Sequence, residues 1–173
     1  MSAKVRSDKE LSFAQSLIIP VLEAINDCGV RSALHVCRGN YTREEAVLLE
    51  GAYDKLSKTF DKLPVDILML EFSTPRAGEI SLLFKNNRLS KKIILGLGVI
   101  NPRSKKVESV DEIVKRAEEA LEFIKPQQVY LNSDCGFETF SYRPMNSYDI
   151  IEQKIANMVK ASNILRKRWG KYC

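Results

Sequence analysis

Apolar runs without polar alternation recur along the chain, and each is separated from the next by a stretch whose apolar residues return every three or four positions. Val65 to Phe72, following Pro64, is nearly all apolar, and so is Lys92 to Ile100. A strand that is apolar on both faces must be covered on both faces, which is the condition of a parallel sheet layered with helices. Ala33 to Cys37 and Gln128 to Ser133 are shorter runs of the same kind, giving four predicted strands. The intervening segments read as helices. Thr42 with Glu45 has the capping-box spacing and predicts a helix through about Phe60; a second is expected between about Ala77 and Asn87. Ser109 with Glu112 caps a third, carrying Val110, Ile113, Val114, Ala117, Leu121 and Ile124. A first helix, Ser7 to Cys28, is expected to kink at Pro20, and Ser147 is positioned to cap the last. Strand–helix alternation with right-handed crossovers makes the class α/β. A closed (β/α)₈ barrel needs eight strands and about 250 residues, so the 173 residues here are expected to form a single domain, 1–173, smaller than a whole barrel.

Composition narrows the function classes. At 45% hydrophobic and 28% charged residues the chain is neither disordered nor a disulfide scaffold. There is no apolar run of about 18 residues and the first ten positions are polar, so a cytoplasmic protein without membrane contact is expected. The net charge of +5 comes from interspersed charges of both signs, and the basic cluster Arg166, Lys167, Arg168 and Lys171 around Trp169 reads as a solvated helix end. Nucleic acid is not an expected partner.

Ligands of parallel α/β folds meet the carboxyl ends of the strands. There the sequence places His35 and Cys37, two residues apart and so on one side of the first strand. His35 is the only histidine. Glu71 ends the second strand inside an otherwise apolar run, Asn101 follows the third, and Asn132-Ser133-Asp134-Cys135-Gly136 ends the fourth. Histidine, cysteine and glutamate are zinc ligands, and two thiolates favour zinc over magnesium or calcium. The residues alone leave an alternative open, with both cysteines as small buried hydrophobes and Glu71 in a structural ion pair. Gly96 and Gly98 lie inside a strand and do not make a dinucleotide fingerprint. Arg38, Asn40 and Arg76 read as exposed loop residues able to orient an anionic group, and Cys28 and Cys173 as non-ligands.

The stretches Leu34-His35-Val36-Cys37-Arg38-Gly39-Asn40, Leu70-Glu71-Phe72 with Arg76-Ala77-Gly78, Leu95-Gly96-Leu97-Gly98-Val99, and Asn132-Ser133-Asp134-Cys135-Gly136-Phe137 together resemble the C-terminal half of the cobalamin-independent methionine synthase family and its methionine-synthase-II-like relatives. The resemblance runs from about Glu10 to Arg166. It implies four strands of half a TIM (β/α)₈ barrel, with Zn²⁺ held by His35, Cys37, Glu71 and Cys135. It implies methyl transfer to a thiol, homocysteine to methionine, from a methylated folate-type donor. Glu71 would exchange with the acceptor thiol, and Asn101 stands where full members carry a histidine for proton transfer. Related readings are a zinc-binding half-barrel subunit inactive alone, or an alkyltransferase for another thiol such as coenzyme M. No strand for the amino-acid substrate precedes Leu11, so methionine synthesis by the isolated chain is not expected. A half-barrel would leave two open edges and an apolar inner face, with Leu68, Leu70, Ile94 and Val129 as candidates for it. Homo-oligomerisation, or a separate chain supplying the other half-barrel, is therefore expected.

Overall fold

The computed structural model of the protein describes residues 3–170. Helix α1 (Ala3–Asp27) contains Pro20 and is followed by strand β1 (Ala33–Val36), helix α2 (Asp54–Lys62) and strand β2 (Ile67–Glu71). Two single turns, α3 (Ile80–Leu83) and α4 (Leu89–Lys92), lead to β3 (Ile94–Ile100); α5 (Val110–Leu121), β4 (Val129–Ser133) and α6 (Tyr148–Trp169) complete the chain. The strands form one sheet in the order β1-β2-β3-β4. Every neighbouring pair is parallel, and an irregularity interrupts the β3–β4 register between Gly98 and Ile100.

Alternation along the strands gives the sheet two unlike faces. Leu68, Leu70, Leu95 and Leu97 are fully buried in a core shared with Phe60 of α2, Ala117 of α5 and Ala161 of α6. The other face carries His35, Met69 and Gly96 in register, with Tyr130 beside Gly96. It is much more open: His35 is exposed, Met69 half-buried, and Tyr130 45% exposed. Leu68 and Leu70 therefore do not belong to an exposed inner face, because the register turns both toward the helices. Val129 is corrected likewise, since it pairs with Leu95 and packs against the same core, whereas Ile94, paired with Ile67, lies partly buried on the open face.

Two predicted helices are corrected. The stretch from Thr42 to Phe60 is not one helix: a loop with a single 3₁₀ turn at Glu45–Val47 precedes α2. Thr42 Oγ1 accepts from the Glu44 backbone instead. Glu45, the other half of the supposed capping box, turns inward, where its Oε1 accepts from Asn101 and Arg103 and its Oε2 pairs with Arg76 at 2.9 Å. Buried guanidinium partners outweigh one local cap. The expected Ala77–Asn87 helix is likewise cut short. Asn86 adopts φ 57° and the Asn87 side chain accepts from the Leu89 backbone, starting α4 afresh. By contrast, Ser109 and Glu112 form the full capping box expected of α5. Ser147 occupies the cap position of α6 without a side-chain cap bond. Among the described residues no helix is long and apolar enough to cross a membrane.

Candidate metal centre

His35 in β1 and Cys37 just beyond it project from the open face, because residues two apart on a strand share a side. Cys135, two residues past β4, meets them there. The side-chain donor atoms of His35, Cys37 and Cys135 all lie within 4.8 Å of one another. The two sulfurs are 3.7 Å apart, close to the roughly 3.8 Å separating two sulfurs bound at 2.3 Å in a tetrahedral zinc site. The donors present thus suit zinc in both type and spacing. Cys37 Sγ also accepts from the Gly39 N–H at 3.2 Å. Burial, reinforced by Cys37, pushes the Cys135 thiol up to about 11. Cys28 lies apart from this group as an exposed thiol, and Cys173 falls outside the described residues.

The loops after β1 and β4 are tied to each other. Asn40 Nδ2 donates to the Gly136 carbonyl at 2.7 Å, and Thr139 Oγ1 bonds the Asn40 carbonyl. Asp134 anchors the same loop from below. It is fully buried; its Oδ1 accepts from the backbones of Phe72 and Ser73, its Oδ2 from the Ser73 hydroxyl, and Arg103 lies 3.6 Å away. Burial pushes its carboxyl up to about 6 against the Ser73 hydrogen bonds. The residue before Cys135 therefore binds the end of β2 to the end of β4. Gly98 leaves room for it: a Cβ there would come within 2.3 Å of Asp134 Oδ1.

Glu71 does not join the three close donors. Its side chain is 2% exposed, with Arg76, Arg103 and Arg38 at 3.6, 3.7 and 3.9 Å. The expectation that Arg38, Asn40 and Arg76 are exposed loop residues is corrected here. Arg38 and Asn40 are buried, and the Arg76 side chain is 8% exposed, because the two arginines pair with Glu71 and Glu45 while Asn40 ties the loops after β1 and β4. Arg38 lies 4.0 Å over the Tyr53 ring and donates to the Tyr53 hydroxyl and the Gly51 carbonyl, both at 2.7 Å. That hydroxyl also accepts from the Glu71 backbone. Burial pushes Tyr53 up to about 12, despite the Arg38 charge. Glu45 is raised by burial but lowered more by Asn101, Arg103 and Arg76, and ends below the ordinary carboxylate range.

Asn101 is buried on the rim of this network. Its Nδ2 donates to Glu45 at 3.0 Å and its Oδ1 accepts from the Arg103 backbone at 2.9 Å. Sequence reasoning passed over Arg103 and Tyr53 and saw Glu45 only as a cap. One signal was available: three strands are each followed within five residues by an arginine, Arg38, Arg76 and Arg103.

Parallel βα units that gather an imidazole and two thiols at the carboxyl ends of the first and last strands define an α/β protein with a candidate soft-metal centre. Similarity to known proteins narrows the class. The chain belongs to the cobalamin-independent synthase catalytic-domain family, whose profile matches residues 20–163. It is 32% identical over 145 residues to the methionine synthase of Pyrococcus horikoshii, covering 84% of this chain and 36% of that protein. To the methionine synthase of Sulfolobus acidocaldarius it is 32% identical over 149 residues, 86% of this chain and 37% of that one. The chain thus spans little more than a third of these relatives' length. Among solved structures, the B12-independent methionine synthase from Shewanella sp. W3-18-1 in complex with selenomethionine superposes with a TM-score of 0.62 at 18% identity, over 85% of this chain and 45% of that one. The fold is half of a (β/α)₈ barrel.

Proposed function

We propose that the chain is the zinc-holding half of a thiol methyltransferase, with homocysteine as acceptor and a methylated folate-type compound as donor. The observation that carries this reading is the convergence of His35, Cys37 and Cys135 within 4.8 Å, with sulfurs 3.7 Å apart, in a member of this family. When bound, zinc lowers the pKa of a thiol so that the nucleophilic thiolate is available near neutral pH. His35, Cys37 and Cys135 would hold the metal and Glu71 would supply the fourth, weaker donor. Exchanging the Glu71 carboxylate for a substrate thiolate leaves the net charge of the site unchanged. Asp134 holds Cys135 at the strand end. The Asn101 amide carries no titratable proton at neutral pH, so its contribution is to orient Glu45 and Arg103 by hydrogen bonds.

Methyl transfer calls for further βα units. The exposed inner face and an apolar stripe on α1, with Phe13 66%, Leu17 58% and Val21 59% exposed, suit a second half-barrel, supplied by another copy or another polypeptide. The test has two parts. Purified protein should hold one zinc per chain, Cys37→Ala or Cys135→Ala should abolish tight binding, and Glu71→Gln should weaken it less. Methionine formation should be negligible with the 173-residue chain alone and appear when the other half-barrel is supplied. Absence of stoichiometric zinc from freshly reduced protein would refute the metal reading. Zinc without turnover in the completed barrel would favour a binding module.

A further inference from the structure

Glu71 is the only carboxylate of the proposed ligand set, and its seat in the structure is unusual. Both its oxygens are buried, yet neither accepts a hydrogen bond from any described residue. Three guanidinium groups stand at 3.6 to 3.9 Å instead, too far for good hydrogen bonds but well placed for charge attraction. A carboxylate held this way can turn without breaking a directed bond. Each guanidinium also has partners besides Glu71, although Arg76 Nη2 and Arg103 Nη2 make no hydrogen bond. Arg38 retains the Tyr53 hydroxyl and the Gly51 carbonyl, Arg76 retains Glu45, and Arg103 retains Glu45 and the Gly39 carbonyl.

We propose that Arg38, Arg76 and Arg103 form a second seat for the Glu71 carboxylate, competing with the metal for it and so setting how readily the fourth metal position opens to an acceptor thiol. These arginines are positioning residues that act through Glu71. The proposal rests on the zinc reading above and adds a property that reading does not require. Weakening the seat drives Glu71 onto the metal, so metal binding tightens while an added thiol binds less well. A merely structural role for the arginines would loosen both.

The experiment uses Co²⁺ in place of zinc, since thiolate-to-cobalt absorption reports the donor set and chelator competition gives the affinity. A cation within about 4–6 Å favours an ionised carboxylate by one to three powers of ten. Taking the low end, Arg76→Gln should tighten Co²⁺ binding about tenfold and weaken homocysteine binding to the Co²⁺-loaded chain by a similar factor. Arg76→Lys, which keeps the charge, should stay near the parent. In a Glu71→Gln background the Arg76→Gln change should have no effect on either affinity. Weaker metal binding in Arg76→Gln, or an equal effect with and without Glu71, would overturn the proposal while leaving the zinc reading intact. Absence of thiolate-to-cobalt absorption in the parent would overturn both. If Arg76→Gln fails to fold, Arg38→Gln carries the same comparison.

Discussion

Replacing Gly98 by alanine adds one methyl group where β3 passes beneath Asp134. The new Cβ would stand 2.3 Å from Asp134 Oδ1, 2.7 Å from the Leu70 carbonyl oxygen and 3.1 Å from Asp134 Cα. Ordinary carbon contacts need about 3.5 Å, so the neighbours must retreat by about 1 Å. Two of them are backbone atoms. The third belongs to a carboxylate held by Phe72, Ser73 and Arg103. Overpacking of this kind costs about 1–3 kcal/mol, and loosening buried hydrogen bonds to Asp134 adds about 1–3 kcal/mol. A total loss of about 2–6 kcal/mol is expected in urea unfolding of the metal-free chain. Because Cys135 follows Asp134 directly, zinc affinity measured by chelator competition should fall about 10- to 100-fold. Gly96→Ala is the control: its Cβ meets the side-chain atoms Asn132 Oδ1 and Met69 Cγ at 2.9 Å, with backbone no closer than 3.1 Å, and should cost less. Parent-like stability and zinc affinity in Gly98→Ala would refute the claim that Asp134 positions the thiol.

Tyr53→Phe removes the acceptor for the Arg38 guanidinium and the Glu71 N–H and should destabilise the chain by about 2–4 kcal/mol in urea unfolding; a loss below about 0.5 kcal/mol would contradict the network described. Glu112 is held down to about 2 by its hydrogen bonds to Lys106 and Ser109. Its contribution to stability is therefore present above the ordinary carboxylate range and is lost as pH falls toward 2. Glu112→Gln should be slightly less stable at pH 7, by less than about 1 kcal/mol because the side chain is half exposed, and thermal melts of variant and parent should converge on acidification.

The parallel order of the sheet was legible because apolar runs at Val65–Phe72 and Lys92–Ile100 leave no polar face to offer water. The site was partly legible for a related reason: period-two alternation alone puts His35 and Cys37 on one side, and strand ends converge. What local pattern could not disclose was competition at a distance. Thr42 and Glu45 satisfy the spacing of a cap, but Glu45 meets Arg76 and Arg103, which lie 31 and 58 residues further on. Leu68 and Leu70 looked equally able to face the barrel interior or the helices, since a strand apolar on both faces carries no mark of which face is which. Register against Leu95 and Leu97 decides it.

Lys154 of α6 is fully buried, and its amino group bonds the Asn101 and Lys106 carbonyls and the Glu108 carboxylate. This single cation orders events in time as the chain is made. His35, Cys37, Glu71 and Cys135, the proposed metal donors, all emerge before it, while the segment from Asn101 to Glu108 still lacks its lock. At about 5–20 residues per second, the interval between Cys135 and Lys154 lasts on the order of a second or more. During that interval the proposed donors are present while this rim is still unlocked.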